Sequence, residues 1–508
     1  MMGSDSLHWL DYAVVALFFI AMIGVGLYFS NKSKSTDQFF GGDKTVPWWL
    51  SGISFYMCSF SALAFVMYSA LAYKYGWVPV TISWLSVPAV LLGGRFLAVR
   101  WRRSAKGSPI DFIASRYTPK MCQALMWLGL PMQILDNAFK LLAIGTVVGV
   151  GMGFPLEIAI AVSGAIIIVY TFLGGLKATL VCDFIQFFVI LAVVLLLPFL
   201  CLDRLAAVDG GAGIAHGMKV FVEKVPAGFF KLTGGQYDWL YMVVFFLIVG
   251  ANLSTNWSLV QRYYSTKSDK DAKKMAYLVS ALLFLGPPLF FFPAMAARVF
   301  IPELDMTDKN VMNGVYALLC KTVLPAGSFG LVIAAMFSAT MSTLAGGYNA
   351  IASVITNEFY GRIKPNATPV EKMRIARIAT VFVGGAVIGL TFLMQYAQGA
   401  GDLFDVTNKM FAVFVPPIAM TMLCGVLVKS VTKRAGSIAL VSGIAVGIAS
   451  FIIGAWVPVL REMGSMFFIT SLTTIFALVV GSVIKPDTSD ERKKIEEFFK
   501  RITDEEEV

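Results

Sequence analysis

Histidine is almost missing from this chain of 508 residues. Only His8 and His216 occur, and neither has a partner for a metal site or a proton relay. Cysteine is sparse as well. Cys58, Cys122, Cys182, Cys201, Cys320 and Cys424 are scattered, mostly within apolar stretches and without zinc or redox spacing, so they read as reduced packing residues. No paired-carboxylate arrangement replaces them, and the chain is expected not to be an enzyme. Charge is scarce too. Charged residues make up 14% of the chain and hydrophobic residues 57%, with a mean hydropathy of +0.75. Soluble domains carry about 25% charged residues, which excludes a soluble protein. The net charge of +10 comes without a basic stripe or nucleic-acid motif, so no nucleic-acid partner is expected. No small-residue cleavage site follows the first apolar stretch, Tyr12 to Phe29, which reads as a span rather than a removable signal.

What the chain has is apolar length. Crossing the bilayer core takes roughly 20 residues of helix. About 13 such spans are predicted near 9–29, 46–73, 77–99, 121–152, 156–173, 178–202, 238–262, 272–300, 323–357, 373–396, 403–428, 435–457 and 463–484. Positive charge alternates between them. The connections Lys32–Lys44, Arg95–Lys120, Lys177, Arg262–Lys274, Arg362–Arg377, Lys429–Arg434 and the tail from Lys485 hold roughly 30 of the 41 Lys and Arg residues. Cytoplasmic connections carry that excess, so the reading is a multi-pass cell-membrane protein with its N-terminus outside and its C-terminus inside. The excess then lies beside anionic lipid. The segment 203–237 is a longer external connection, and 485–508 reads as a tail containing a short amphipathic helix.

Two spans look interrupted. The second contains the polar, small-residue run Ser51 to Ser61, and the seventh contains Gly250 to Asn256. Unwound backbone at membrane depth is tolerated where it lines a cavity or is buried in protein. Paired interruptions in corresponding places point to an inverted-repeat transporter with its site at the midplane. Gly and Ser that simply let helices pack closely give the same pattern, and hydropathy leaves both readings open.

Motifs add to this. Tyr170-Thr-Phe-Leu-Gly-Gly-Leu-Lys-Ala178, Cys182-Asp-Phe-Ile-Gln186, Gln261-Arg262 and Ala339-Thr-Met-Ser-Thr343 occur in that order. Together they resemble the signatures of the sodium:solute symporter family. Leu403 to Asn408, followed by Val415-Pro-Pro-Ile-Ala419, is similar to the sodium/glucose cotransporter branch. The resemblance runs from about Asp11 to Pro486. It implies an all-α fold of the LeuT type, a five-plus-five inverted repeat with extra peripheral helices. The expected division is a peripheral helix in 1–45, repeats in 46–202 and 238–428 joined by 203–237, peripheral helices in 429–484, and the tail.

The resemblance also implies a sodium site built from the carbonyls of Met57, Phe60 and Ala339 and the hydroxyls of Ser342 and Thr343. Neutral oxygens suit a hard monovalent cation, and a broken helix supplies free carbonyls. In isolation such hydroxyls bond back to i−4 carbonyls instead. Some members bind a second sodium through further hydroxyls and the aspartate of the sixth span. Here Ala345 and Gly346 stand at those hydroxyl positions and only Asp183 remains, so one Na⁺ is expected. Asp183 then either structures the inner vestibule or sits solvated at the interface.

For the solute, Asp136 lies in mid-span beside Asn137, with Lys140 four residues on. Ionisable residues within spans usually face a cavity. The two charges can pair on one helix face, either to contact solute or only to make burial tolerable. By the resemblance, Asn256 and Asn408 fall at sugar-contacting positions, with Lys409 adjacent. Ser59, Ser61, Ser83 and Thr81 either add hydroxyl contacts or pack. Tyr56, Phe60 and Trp84 read equally as gate and as core. The glucose branch has an acidic residue where this chain has Ser83, and a lysine where it has Leu283 or Phe284. Sialic-acid members use an arginine near position 136, where this chain has an aspartate. The expectation is Na⁺-coupled uptake of a small polar solute, most simply a sugar or polyol. Sialic acid, another carboxylate, an amino acid, or a transport-free sensor are the alternatives. A channel is disfavoured, since no selectivity loop repeats. The expected partners are Na⁺, the solute and the lipid bilayer, with no obligate protein partner.

Overall fold

The computed structural model describes residues 8–30, 39–40, 44–59, 61–104, 108–302, 304, 309–325, 327–398 and 403–503. Regular structure among them is entirely helical; the only β pairings are two isolated bridges. That follows from the apolar setting, where every backbone N–H and C=O needs a partner within its own segment.

In chain order the helices are α1 (Trp9–Ser30), α2 (Trp48–Cys58), α3 (Ala62–Tyr75), α4 (Val78–Trp84), α5 (Ser86–Phe96), α6 (Ala98–Ser104), α7 (Asp111–Arg116), α8 (Pro119–Met152), α9 (Leu156–Val208) and α10 (Ile214–Lys224). They continue as α11 (Trp239–Thr255), α12 (Trp257–Ser265), α13 (Asp269–Phe300), α14 (Lys309–Val323), α15 (Phe329–Val354), α16 (Pro369–Gln398), α17 (Leu403–Leu427), α18 (Ala435–Ile453), α19 (Met463–Ile484) and α20 (Ser489–Thr503). Their ends carry ordinary signals. Thr118 caps α8 by accepting from Met121 N at 3.1 Å, with Pro119 at the first helical position. Asp238 caps α11 through Tyr241 N at 2.8 Å, and Ser268 caps α13 through Asp271 N at 3.1 Å.

Nine described helices are long and apolar enough to cross a membrane, or ten when α11 and α12, bent by 51°, count as one. The sequence predicts about thirteen, and the difference has local causes. α9 takes in 53 residues where hydropathy predicts two spans, and it is two helices joined at a kink. At ~1.5 Å per residue they amount to about 80 Å of helix, enough to pass a core of about 30 Å twice. Its backbone turns at Gly175, with φ 59° and ψ −174°, where a Cβ would meet the Phe39 ring at 2.6 Å. Two crossings meet there. α2 and α3 are each too short to span alone, and α8 carries Asp136 and Lys140.

Burial orders the bundle. The apolar window of α15 and its continuation is 94% buried, whereas that of α1 is 28% buried. α15 is therefore the central helix and α1 a peripheral one. Apolar side chains such as Leu17, Ile20, Phe382 and Phe476 remain exposed on the outer helices, as lipid-facing residues do. All six cysteines are free. The Lys/Arg-rich connections gather at one end. Arg102 and Arg103 bind Asp269, Arg362 donates to Pro119 O, Lys429 pairs with Glu496, and Val46 N bonds Ser265 O. The segment 203–237 contains α10, and α20 seats Ile495, Phe498, Phe499 and Ile502 against the bundle.

Candidate functional site

The site forms where two broken helices face α15. α2 ends at Cys58 and α3 begins at Ala62. A helix that stops in mid-bundle leaves carbonyls at its C-terminal end and N–H groups at the next N-terminus. α15 meets both from a single turn. Thr340 Oγ1 accepts from Ala62 N at 3.0 Å, and Thr343 Oγ1 lies 3.4 Å from Met57 O. Thr343 Oγ1 is also 2.8 Å from Ala339 O. Three neutral oxygens, those of Met57, Ala339 and Thr343, thus converge. Ser342 is the neighbouring residue on this turn, and its hydroxyl lies 3.4 Å from Cys58 Sγ. Phe60 lies outside the described residues.

The second break is at Asn256, whose φ of −59° and ψ of 129° separate α11 from α12. Its side-chain oxygen caps α12, accepting from Ser258 N at 3.0 Å and from Ser258 Oγ at 2.8 Å. α12 carries Arg262, which is fully buried against Asp183 of α9 at 3.8 Å. Arg262 donates to Ser54 Oγ at 3.1 Å, to Ser258 O at 2.8 Å and to Cys58 Sγ at 3.1 Å, and Ser54 donates to Asp183. This guanidinium reaches α15 as well. A Cβ on Gly346 would stand 3.1 Å from Arg262 Nη2 and 3.0 Å from Cys58 Sγ. Asp183 is therefore neither solvated nor at an interface. It is 0% exposed and charge-paired. The sequence gives Asp183 no partner, since Arg262 lies on another span, at the head of what reads as a charged connection.

Beside the oxygen cluster lies a cavity of about 210 Å³. Ser59, Ser61, Ser83, Asp136, Asn256 and Asn408 line it, as does Thr343. Asn137 and Lys409 are not among its described lining residues. Asn137 donates to Gln133 O at 2.8 Å and packs on Gly347 of α15. Asp136 and Lys140 pair at 2.6 Å and are the only charged residues of the described lining. The other carboxylate oxygen of Asp136, Oδ1, is buried without a hydrogen-bond partner among the described residues. Asn408 donates to Tyr241 OH at 3.3 Å. Leu283, where the glucose branch has a lysine or its neighbour, faces this cavity, and Trp84 stacks on Phe284 with centroids 5.2 Å apart. Sequence reasoning does not single out Asn252, Tyr68 or the aromatic wall of Phe245, Phe290 and Phe291. Aromatic residues at helical spacing carry no signal that separates a cavity wall from core.

Comparison with known proteins fits this architecture. The chain is 25% identical over 502 residues to the sodium/sialic acid symporter NanT of Aliivibrio fischeri, covering 96% of this chain and 94% of that one. It is 26% identical over 509 residues to the sodium/glucose cotransporter of Vibrio parahaemolyticus, covering 95% and 92%. The structure of a Na⁺-coupled sialic acid symporter in its substrate-bound outward-open state superposes with a TM-score of 0.79 at 22% identity, covering 94% of this chain and 98% of that one. Mhp1, a nucleobase-cation-symport-1 family transporter, superposes with a TM-score of 0.56 at 14% identity, covering 90% and 97%. Those two likenesses establish the LeuT-type fold. Residues 39–445 match the sodium:solute symporter family, and the chain belongs to that family: it is a Na⁺-coupled solute transporter of the membrane, not an enzyme.

Proposed function

We propose that this transporter moves one Na⁺ per cycle together with a small neutral polar solute, a sugar or polyol. The observation that carries the solute class is the charge balance of the cavity. Among the described lining residues the one cation, Lys140, is already paired with Asp136, so that described lining is neutral. Asp136 Oδ1 remains as a buried acceptor, and a buried acceptor without a donor is costly. A solute hydroxyl supplies that donor. Ser59, Ser61, Ser83, Asn256 and Asn408 offer further hydrogen bonds. The volume is below the 300–1,000 Å³ of pockets for drug-sized ligands, which favours a small solute.

Na⁺ is the coupling substrate. Hard cations of its size keep about 2.4 Å to oxygen, so two oxygens sharing one at right angles stand roughly 3.4 Å apart. The Thr343–Met57 separation of 3.4 Å matches. Ala339 O joins them, with the Ser342 hydroxyl and Phe60 carbonyl as the remaining expected oxygens. Bound Na⁺ then pins α2 to α15. Thr343 also lines the solute cavity, so ion and solute favour each other's site reciprocally. The membrane potential adds about 2.3 kcal/mol per charge per 100 mV to the inward step. A single Na⁺ is favoured because Arg262 already neutralises Asp183, and Ala345 and Gly346 bring no side-chain oxygen.

The gathering of the Lys/Arg-rich connections at one end supports a cytoplasmic placement for that end, with the C-terminus inside and the N-terminus outside. The breaks at 59–61 and at Asn256 support repeats over 46–202 and 238–428. The sialic acid symporters among the relatives favour a second reading, uptake of an acidic sugar. That solute brings a carboxylate, for which the described lining residues supply no cation beyond the paired Lys140. The test is a thermal-shift panel of neutral sugars, polyols and sialic acid, each in sodium and in potassium. Stabilisation by a neutral polyol or sugar in sodium alone is expected. Sodium-dependent stabilisation by sialic acid alone rejects the neutral-solute reading.

A further inference from the structure

At the end of the bundle that carries the basic connections, a second cavity of about 820 Å³ opens between α5–α6, the α12–α13 turn and the last residues of α20. Among the described residues, seven cations line it against one carboxylate, Asp269. That carboxylate is already engaged by Arg102 and Arg103. Arg102 is further consumed by Thr266 O and Lys267 O, at 3.2 and 2.7 Å, which fixes α6 to the turn before α13. Arg95, Lys267, Lys270 and Lys273 make no ion pair among the described residues. Like charges crowded in a concave site repel unless an anion joins them.

The rim identifies the anion's carrier. Arg95 lies over the Phe96 ring at 5.9 Å, and Phe96 and Leu92 are 57% and 51% exposed on the lipid-facing flank of α5. Phe96 and Val99 continue that apolar surface into the cavity. A ligand with an acidic head and an apolar tail matches both parts. Basic pockets at the membrane surface between transmembrane helices recognise such headgroups.

We propose that this cavity binds the phosphate headgroup of an anionic phospholipid, with the acyl chains lying along Leu92 and Phe96. Bound lipid bridges α5–α6 to the α12–α13 turn and so braces the second broken span.

The test uses the full chain in mild detergent. Thermal unfolding is followed with added phosphatidylglycerol, phosphatidylcholine, or glycerol phosphate plus inorganic phosphate. Native mass spectrometry counts retained lipid. Phosphatidylglycerol is expected to raise the midpoint saturably by several degrees, with the other additions having no effect. In Lys267→Gln/Lys270→Gln/Lys273→Gln, whose side chains are exposed, apparent affinity is expected to fall on the order of a hundredfold. The midpoint in phosphatidylcholine should stay unchanged. An equal response to both lipids, a response to soluble phosphate alone, or an unaltered response in the triple variant overturns the proposal. So does a lipid response seen only after removal of residues 504–508. Four of those are acidic, and that result would give the cavity to the chain's own tail.

Discussion

Thr343 Oγ1 stands 3.4 Å from the main-chain oxygen of Met57, across 286 positions of sequence. One hydroxyl on the most buried of the candidate spans therefore reaches the open end of a helix that stops in mid-bundle. The same helical turn presents Thr340 to the N–H of Ala62, so α15 satisfies both sides of the break. The two threonines have different duties. Thr340 holds the broken helix in place without an ion, whereas Thr343 shares its oxygen with carbonyls that an ion can also use.

Thr343→Ala should thus raise the sodium concentration for half-maximal uptake by more than tenfold, measured in proteoliposomes. Its Ala339 hydrogen bond is local, so unfolding in potassium should change by only about 1 kcal/mol. Thr340→Ala should do the reverse, lowering stability in potassium while leaving the sodium affinity of the remaining folded protein near normal. Unchanged sodium dependence in Thr343→Ala combined with Ser342→Ala rejects the ion site.

Asp136→Asn removes the acceptor charge and leaves the partly buried Lys140 without its charged partner, which should cost less than the about 3–5 kcal/mol of a fully buried pair. Solute affinity should fall roughly tenfold or more, as a hydrogen bond to a charged group is lost. Asp136→Asn combined with Lys140→Met separates the two effects. Stability should return, but affinity should not, if Asp136 Oδ1 receives the solute. Recovery of both in equilibrium binding leaves the pair a structural role alone.

How much of this was legible in sequence depends on periodicity. The two breaks, the order of helices and the oxygen-bearing turn of α15 follow from polar runs in apolar spans and from family motifs, because both are local signals. Asn137 shows what adjacency hides. It follows Asp136, yet successive helical residues point about 100° apart, and Asn137 meets Gly347 while Asp136 meets the cavity. Arg262 shows the opposite failure. Its place at the end of a span suggests a solvated connection, whereas the break at Asn256 turns α12 inward and buries the guanidinium completely. Neither fact exists until two helices are brought together.

α20 gives a test at the other end of the molecule. Phe498 stacks over Phe112 at 6.4 Å, and Arg116 lies over Phe499 at 5.5 Å. Phe498→Ala with Phe499→Ala should free and unfold α20, so that trypsin cleaves after the already exposed Arg492, Lys493 and Lys494 while uptake survives. The helix start is pH-sensitive through a reciprocal cap, with Thr488 N donating to Glu491 Oε2 at 3.0 Å and Glu491 N to Thr488 Oγ1 at 3.3 Å. The Thr488 N–H holds the Glu491 carboxyl below its usual range. A depressed folded pKa contributes stability that is whole above the unfolded value of about 4.3 and is lost as pH falls through the folded one. Trypsin is inactive at that acidity, so the release should be followed by pepsin cleavage relative to Glu491→Gln, which lacks the titrating group, with the two chains converging as pH falls below the unfolded value. A cleavage ratio to Glu491→Gln that is flat with pH in this range rejects the cap's contribution.

The chain carries a buried cation of its own beside the oxygen cluster. Arg262 lies against Asp183, and its Nη2 fills the space where a side chain at position 346 would begin. If this guanidinium makes a second Na⁺ unnecessary, removing it should do two separable things. Arg262→Met alone leaves Asp183 as an uncompensated buried charge, with a loss of about 3–5 kcal/mol that Asp183→Asn should largely restore. Arg262→Ala with Ala345→Ser and Gly346→Ser instead offers Asp183 new hydroxyls and room for an ion. In that variant, sodium should recover stability that potassium does not, and the Hill coefficient for sodium-activated uptake should rise from about 1 towards 2. The fully folded chain before substitution should show a coefficient near 1. A coefficient near 2 in the unaltered chain means that Arg262 and a second ion coexist, and Arg262 then positions Asp183 rather than substituting for sodium.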